Sequence, residues 1–359
     1  MKIAIIGSSI AGASSACNLA KHAEVNVFDS KSRKEIGKKV CANVFTSSFL
    51  KYAKQLNLTP KNYIVSKFDK IAFLAKNTKL MLNTSEFKIN REKLIEDVIK
   101  QAEKNSAKFH FNTHFTGFKK KGNKFIIKLS RNKKIFFDSC DILIGADGAN
   151  SKVAKCAGLW NNRKFFLFMQ TEIPAYKLSI PANTHLIYLG KKFGYYSYIF
   201  SAKNKLIIGI GDNVDRARKT YSSFLKFLNV KSGKVQAALI PKPKLIPLKK
   251  NLFLIGDAGC YVKFSGGGVV PAMISANAVK EIILNKKYNL IKKLRYGIFF
   301  NKIITKILKK FTDKDWNIFL KIISKRKFAS FIGKRDEFET KDYLKLLDFR
   351  FLRFIPKLI

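Results

Sequence analysis

Acidic residues are scarce in this sequence: 24 Asp and Glu stand against 70 Lys and Arg, a formal net charge of +46 over 359 residues. A chain so basic draws anions such as nucleic acid, anionic lipid or phosphorylated molecules, which bears on partners rather than on fold. The lysines run through the whole chain beside abundant Ile, Asn and Phe, so a genome-wide compositional bias explains the charge equally well. Cys17, Cys41, Cys140, Cys156 and Cys260 are odd in number and lack CxxC or Cys/His spacing. That argues against a disulfide framework and against a metal site, and it fits a reducing cytoplasm. His22, His110, His114 and His185 have no triad or metal-ligand spacing and read as structural. No apolar run approaches the roughly 18 residues a membrane-spanning helix needs, and no low-complexity segment or linker is evident. What is present is a globular composition, 47% hydrophobic and 26% charged, with length for two or three domains.

The first stretch, "MKIAIIGSSIAGASSACNLA", has two incompatible readings. One Lys, an apolar run and small residues ending in "SSAC" resemble an export signal with a modifiable Cys17. The same letters also describe a strand, a glycine turn and a helix. The apolar run in "KIAIIG" is about five residues, too short for the roughly 7–15 of a signal core. A second strand, "EVNVFD", ends in Asp29, about 20 residues after the turn, where a dinucleotide fold places the carboxylate that binds a ribose. The turn Gly7-Ser8-Ser9-Ile10-Ala11-Gly12 matches GxGxxG with Ser9 in place of the middle glycine. A helix N-terminus there would offer amide donors to a pyrophosphate.

Two later segments decide between the readings. "DILIGADGANSKVAK" sets a buried strand before Gly145-Ala146-Asp147-Gly148 and starts a helix at Ser151. "NLFLIGDAGCYVKFSGGGVVPAMISANAVKEII" gives another strand, then Gly256-Asp257-Ala258-Gly259, then Gly266-Gly267-Gly268 opening an apolar helix. Each is a strand-turn-helix, the arrangement that gathers acids and free amides at the C-terminal edge of a parallel sheet. The expected fold is α/β, with a Rossmann-like nucleotide-binding domain.

This order of motifs resembles the FAD-dependent enzymes related to p-hydroxybenzoate hydroxylase and, within them, the geranylgeranyl reductase family, which saturates isoprenoid double bonds. The likeness covers nearly the whole chain. Family members show GDAAG, a "VKP" element and a glycine triplet where this chain has "GDAGCYVKFSGGG"; they show V-x-C-G where it has "KKVCAN", and YxWxFP where it has "YSYIFS". The resemblance implies FAD as cofactor and no metal. It implies that Gly7, Ser9, Ile10, Ala11 and Gly12 face the pyrophosphate, Asp29 the adenosine ribose, and Arg91 the cofactor. Asp147 and Gly148 would shape the pyrophosphate region, and Gly256 and Asp257 would meet the ribityl chain. Gly266, Gly267, Gly268 and Val269 would aim a helix N-terminus at the flavin N1 and O2 edge, where it stabilises the anionic reduced ring.

On the substrate side the resemblance nominates Cys41, although its following Gly and Glu are here Ala42 and Asn43. "GYYSYIFSAKNKLIIGIG" reads as two antiparallel strands in which Tyr196, Tyr198 and Phe200 share one face. That face would wall a prenyl tunnel, with Tyr198 where the family has Trp and Ser201 where it has Pro. Cys41, Tyr196, Tyr198 and water are the candidate proton sources. The resemblance divides the chain into a discontinuous FAD-binding domain (1–160 and 246–288), an antiparallel-sheet substrate domain (161–245) and a C-terminal helical region (289–359). Residues 60–85 would add a minor part of the substrate wall.

No second GxGxxG exists, since "IGIGDN" stops at GxG. A dedicated nicotinamide domain is therefore not expected, and electrons would come from an external donor, a ferredoxin or a transiently bound reduced nicotinamide. "FFNKIITKILKKF" places Phe300, Ile303, Ile304, Ile307, Leu308 and Phe311 at helical spacing with Lys302, Lys306, Lys309 and Lys310 on other faces. This pattern serves either an interfacial helix on an anionic membrane or a helix packed on the protein body. The tail "DFRFLRFIPKLI" repeats the mix. The leading expectation is a cytoplasmic FAD-dependent reductase of geranylgeranyl chains on a lipid or prenyl phosphate, peripheral to the membrane. A monooxygenase or halogenase on the same fold is the alternative; the WxWxIP signature of tryptophan halogenases is absent, Trp160 and Trp316 standing alone. A basic nucleic-acid-binding protein with a vestigial flavin fold is the third reading. Its bases are not interleaved with a recognition motif, and no specific nucleic acid is expected.

Overall fold

The computed structural model describes residues 1–325, 351 and 353–358. Part of the helical region expected over 289–359, including Asp348, Phe349 and Arg350 of the basic tail, lies outside the described residues. The chain opens with β1 (Lys2–Ile6), α1 (Ile10–Leu19) and β2 (Glu24–Phe28). Then come β3 (Val44–Thr46), α2 (Ser48–Gln55), the hairpin of β4 (Ile64–Ala75) and β5 (Thr78–Ile89), α3 (Arg91–Lys104) and β6 (Lys108–His110). A meander of β7 (His114–Lys121), β8 (Lys124–Arg131) and β9 (Lys134–Cys140) leads to β10 (Ile142–Gly145) and α4 (Lys152–Cys156). The middle of the chain supplies β11 (Phe165–Pro174), β12 (Thr184–Tyr188), β13 (Tyr196–Ala202), β14 (Lys205–Asn213), α5 (Ala217–Phe227) and β15 (Gln236–Pro241). β16 (Leu252–Leu254), α6 (Val269–Asn285), α7 (Asn289–Lys309) and α8 (Asp313–Ile323) follow.

The first sheet runs β16-β10-β1-β2-β6, every neighbouring pair parallel. Parallel strands are buried on both faces, and the run "KIAII" satisfies this by alternation. Ile3 and Ile5 face a core shared with α1, α3 and α6, while Ala4 and Ile6 face the other side with Phe125, Ile127 and Leu129 of the meander. Burying Ile3 and Ile5 completely is worth about 1.5–3 kcal/mol each. The opening stretch is thus the middle strand of this sheet and the helix packed on it.

The second sheet has eight strands in the order β15-β11-β14-β13-β12-β4-β5-β3. β13 and β14 pair antiparallel as the sequence suggests, Tyr198 opposite Gly209. The contribution of the early chain exceeds the minor wall expected of residues 60–85: β3, β4 and β5 make up three of the eight strands. Parallel pairing of Lys70–Leu74 with Thr184–Tyr188 welds the early hairpin to the middle segment. One face of this sheet packs Ile199, Ile208 and Ile210 against Tyr221 and Phe224 of α5. The opposite face carries Phe68, Phe168, Ile187, Tyr198 and Phe200 toward Phe311 and toward Trp316 and Leu320 of α8. Between that face, the start of α6 and the helices α7 and α8 lies a cavity.

Candidate functional site

The three glycine-acid turns meet at the C-terminal edge of the parallel sheet. Gly7 has φ +102°, donates its N–H to the Phe28 carbonyl at 2.8 Å, and has no room for a side chain because a Cβ would lie 2.4 Å from the Ala146 oxygen. Gly12 is held more tightly still, its would-be Cβ being 1.8 Å from the Gly7 oxygen. The turn after β16 joins them: a Cβ on Gly256 would stand 2.9 Å from that of Ala11. Ile10 and Ala11 are buried and Ser9 is exposed at the helix cap, where α1 carries no acid in its first turn.

The acids are already engaged. Asp29 accepts from the Ser8 N–H at 2.7 Å and the Ser8 hydroxyl at 2.8 Å through Oδ2, and from the Lys31 N–H at 2.9 Å through Oδ1. Asp147 accepts from the Ser151 hydroxyl and from the Lys152 and Val153 amides, so it caps α4. Burial pushes its carboxyl up, opposed by those hydrogen bonds. Gly148 beside it has φ +78° and open space on the side-chain side. Asp257 pairs through Oδ2 with Lys39 Nζ at 2.8 Å, and its Oδ1 would lie 3.0 Å from a Cβ on Gly268.

Arg91 sits buried at the first position of α3 rather than on its exposed face. Its Nη2 donates to the carbonyls of Gly37, at 2.6 Å, and Lys39. Arg91 therefore fastens the loop that carries Cys41 to α3, and Lys39 fastens it to the turn that carries Asp257. Cys41 lines the cavity and accepts from the Asn43 N–H at 3.3 Å.

Gly266 turns with φ +78° against the ring of Phe168, whose Cζ would be 2.6 Å from an added Cβ. Gly268 caps α6 and Val269 begins it, with no side-chain cap and no acid in the first turn. Gly266 to Val269 all face the cavity, so a 17-residue helix ends there with its amides uncapped. These features fit a flavin dinucleotide: a glycine-lined approach, an uncapped helix N-terminus that favours negative charge, and a buried Arg91 Nε with no hydrogen-bond partner among the described residues.

The cavity has a volume of about 530 Å³. Tyr196 and Tyr198 both line it, as their alternation implies. The Tyr196 hydroxyl donates to the Ser265 carbonyl at 2.6 Å and that of Tyr198 to Gln170 Oε1 at 2.9 Å. Burial raises the Tyr198 phenol well above its ordinary value, which opposes a role as acid. Gly209 makes the ring's place, since a Cβ there would lie 2.3 Å from Tyr198 Cζ. Phe300, Ile303, Ile304, Ile307, Leu308 and Phe311 also line the cavity. The stripe that suits a membrane interface equally well in sequence is turned inward.

Among the polar wall residues, Glu86, Gln170 and Lys263 escaped the sequence reading, and His185 was read as structural. Nothing in local spacing pairs Glu86 with His185, yet His185 Nδ1 lies 3.0 Å from Glu86 Oε2. Alternation in "THLIY" does place His185 on the face of Ile187, a signal that was available. Lys263, which the resemblance passes over as part of the "VKF" element, is buried beside Gly267.

A parallel sheet with three phosphate-type turns, joined to a second sheet that roofs an apolar cavity, defines a flavin-dinucleotide fold. The chain belongs to the FAD binding domain family, whose model matches residues 1–192, and its cofactor is FAD. Among curated proteins it is similar to the chloroplastic geranylgeranyl diphosphate reductase of Arabidopsis thaliana, 30% identical over 161 residues, 42% of this chain and 34% of that one. The chain spans 34–40% of the length of the curated relatives it matches. Its fold is that of a geranylgeranyl bacteriochlorophyll reductase-like protein from Thermoplasma acidophilum, with a TM-score of 0.81 at 17% identity over 100% of this chain and 99% of the other. The flavin-dependent halogenase CmlS shares it with a TM-score of 0.71 at 15% identity, covering 99% and 76%.

Proposed function

We propose that this chain is an FAD-dependent oxidoreductase that saturates C=C bonds of geranylgeranyl or related isoprenoid chains carried on a lipid or a prenyl phosphate. The observation that carries the reading is the cavity of about 530 Å³ that opens at Gly266–Val269 and continues among Phe300, Ile304, Leu308 and Trp316. Reduced FAD, when bound, supplies a hydride equivalent. Gly7, Ser9, Gly12 and the start of α1 would hold its pyrophosphate, Asp29 and Asp257 its hydroxyl-bearing chains, and Gly266–Val269 the ring edge. The aliphatic and aromatic wall excludes water and aligns a flexible chain, which lowers the entropic part of the barrier. An isolated alkene offers no carbonyl to spread negative charge, so proton transfer to one carbon has to accompany hydride arrival at the other. Cys41 or a bound water is the favoured proton source, because both tyrosine hydroxyls are held by acceptors.

Electrons would reach the cofactor from an external reduced nicotinamide or a ferredoxin-like carrier. No helix among the described residues is long and apolar enough to cross a membrane. A cytoplasmic protein resting on anionic lipid through its basic surface suits a substrate drawn from a bilayer. The test is purification, an absorbance spectrum, anaerobic reduction, and mass spectrometry of geranylgeranyl lipids for the gain of two hydrogens per bond. A colourless protein that takes up no added FAD overturns the proposal. Oxygen consumption stoichiometric with product would favour the monooxygenase or halogenase chemistry.

A further inference from the structure

Within a wall that is otherwise largely apolar, one pair is out of character. Glu86 of β5 and His185 of β12 are 99 residues apart in sequence and are brought together by β4, which runs between them. Phe68 of β4 registers with Glu86, and Ile71 with His185. Their side chains are 3% and 8% exposed, and His185 Nδ1 lies 3.0 Å from Glu86 Oε2. The imidazole is enclosed by Phe68, Tyr198 and Phe200, with ring centroids at 5.9, 6.3 and 5.3 Å. Its second nitrogen, Nε2, is buried without a hydrogen-bond partner among the described residues. Both residues line the cavity.

A buried polar atom left unpaired is costly, and a ligand that supplies its partner gains what the free protein lacks. We propose that Nε2 of His185, oriented by Glu86, is the recognition point for a neutral hydroxyl on a long apolar ligand of this cavity. The proposal rests on reading the cavity as an isoprenoid site and names the polar end of the ligand. With Glu86 ionised, Nδ1 carries the proton that faces the carboxylate, and neutral His185 presents a bare lone pair at Nε2. A hydroxyl donates to that lone pair. Should His185 take a second proton, the same hydroxyl accepts from Nε2–H, so the match survives either state. A phosphate does not fit as well, because the Glu86 carboxylate on the far side of the ring repels it. The other polar side chains of the wall include Asn43, Thr46, Lys263, Gln170 and the Tyr198 hydroxyl, the last two engaged with each other. Lys88 of β5 stands over the Phe200 ring, its amine pushed down by burial. The rest of the ligand would extend among the apolar side chains of α7 and α8.

Trp316 lines the cavity and provides the readout, since Trp160 is the only other tryptophan of the sequence. The holoprotein carrying Trp160→Phe is titrated with geranylgeraniol, with its deoxygenated hydrocarbon and with geranylgeranyl diphosphate, following Trp316 fluorescence. One hydrogen bond predicts that the ratio of alcohol to hydrocarbon affinity falls about tenfold when His185→Phe is added. An unchanged ratio overturns the proposal while leaving the isoprenoid site intact. A diphosphate that outbinds the alcohol through His185 also overturns it. Failure of every chain to perturb Trp316 instead removes the underlying reading of the cavity. For an unaltered protein the same question is put by NMR: geranylgeraniol, and not the hydrocarbon, should shift the ring signal of the one buried histidine that responds. Absence of that shift counts against the proposal even if His185→Phe fails to fold.

Discussion

Lys39 closes on Asp257 at 2.8 Å, across 218 positions of sequence. The contact ties the Cys41 loop to the turn that precedes the glycine triplet, and it sits on the edge where the proposed function puts FAD. Partly exposed ion pairs are worth about 0–1 kcal/mol, whereas hydrogen bonds to a charged group are worth about 1.5–3 kcal/mol. Asp257→Ala should therefore weaken FAD binding by about tenfold to a hundredfold, and Lys39→Ala by about fivefold or less. Titrating apoprotein with FAD by flavin fluorescence measures both. Equal losses in the two variants would mean that Asp257 serves the ion pair alone.

The glycines of these turns are not equivalent. Gly12→Ala drives a methyl to 1.8 Å from the Gly7 carbonyl and cannot be relieved by a side-chain rotation; a loss of about 3 kcal/mol or more is expected. Gly148→Ala meets no atom within 4 Å and has only its φ of +78° against it, so about 1–2 kcal/mol is expected. Urea midpoints of the two variants, compared at equal slope, separate steric from conformational cost.

Filling the cavity at α7 should shorten the chain it accepts. Ile304→Trp projects a larger ring into the space beside Ile303 and Ile307. Turnover or binding should shift from geranylgeranyl toward farnesyl and geranyl compounds, with stability altered by less than about 3 kcal/mol. A uniform loss across all chain lengths would place the chain elsewhere.

Tyr198→Phe asks whether that phenol gives up a proton. Its hydroxyl is bound to Gln170 at 2.9 Å and burial holds its pKa well above the ordinary value. The variant should lose about 1–2 kcal/mol of stability through the unpaired Gln170 oxygen and keep turnover within a few-fold. A fall of several orders of magnitude in rate, with an unchanged FAD spectrum, would make Tyr198 the acid.

Lys242 gives the pH dependence a definite sign. Burial first, then repulsion from Lys309 and Lys164, lowers its pKa from 10.5 to about 8. Between these two values the unfolded chain holds more protons than the folded one, so the stability due to this group rises with pH across that window and is absent below it. Because the amine is partly exposed, the gain is discounted to roughly 1–2 kcal/mol. Thermal unfolding of the native protein should gain on Lys242→Met between pH 7 and pH 10. Parallel curves would show that the amine stays solvated.

Sequence alone made the three glycine turns legible, because each turn is a local event. A short apolar run, a glycine that must take positive φ or admit a neighbouring backbone, and a small-residue helix occur within about fifteen residues, and Gly7, Gly12, Gly256 and Gly266 each show in the structure the crowding that excludes a side chain. The alternation of Tyr196, Tyr198 and Phe200 was equally readable, since strand periodicity assigns faces without reference to anything distant.

Only the tertiary structure decided what those faces meet. An amphipathic helix has the same pattern whether it lies on lipid or on protein, and it was the packing of α7 against α6, across the cavity from the eight-stranded sheet, that turned Ile304 and Leu308 toward the cavity. The early hairpin joined that sheet through a parallel pairing of β4 with β12, which no short-range pattern encodes. Glu86 and His185 each look ordinary in their own strands. Their contact exists because a third strand spaces them, and a polar pair enclosed by apolar rings acquires significance only from the burial that surrounds it.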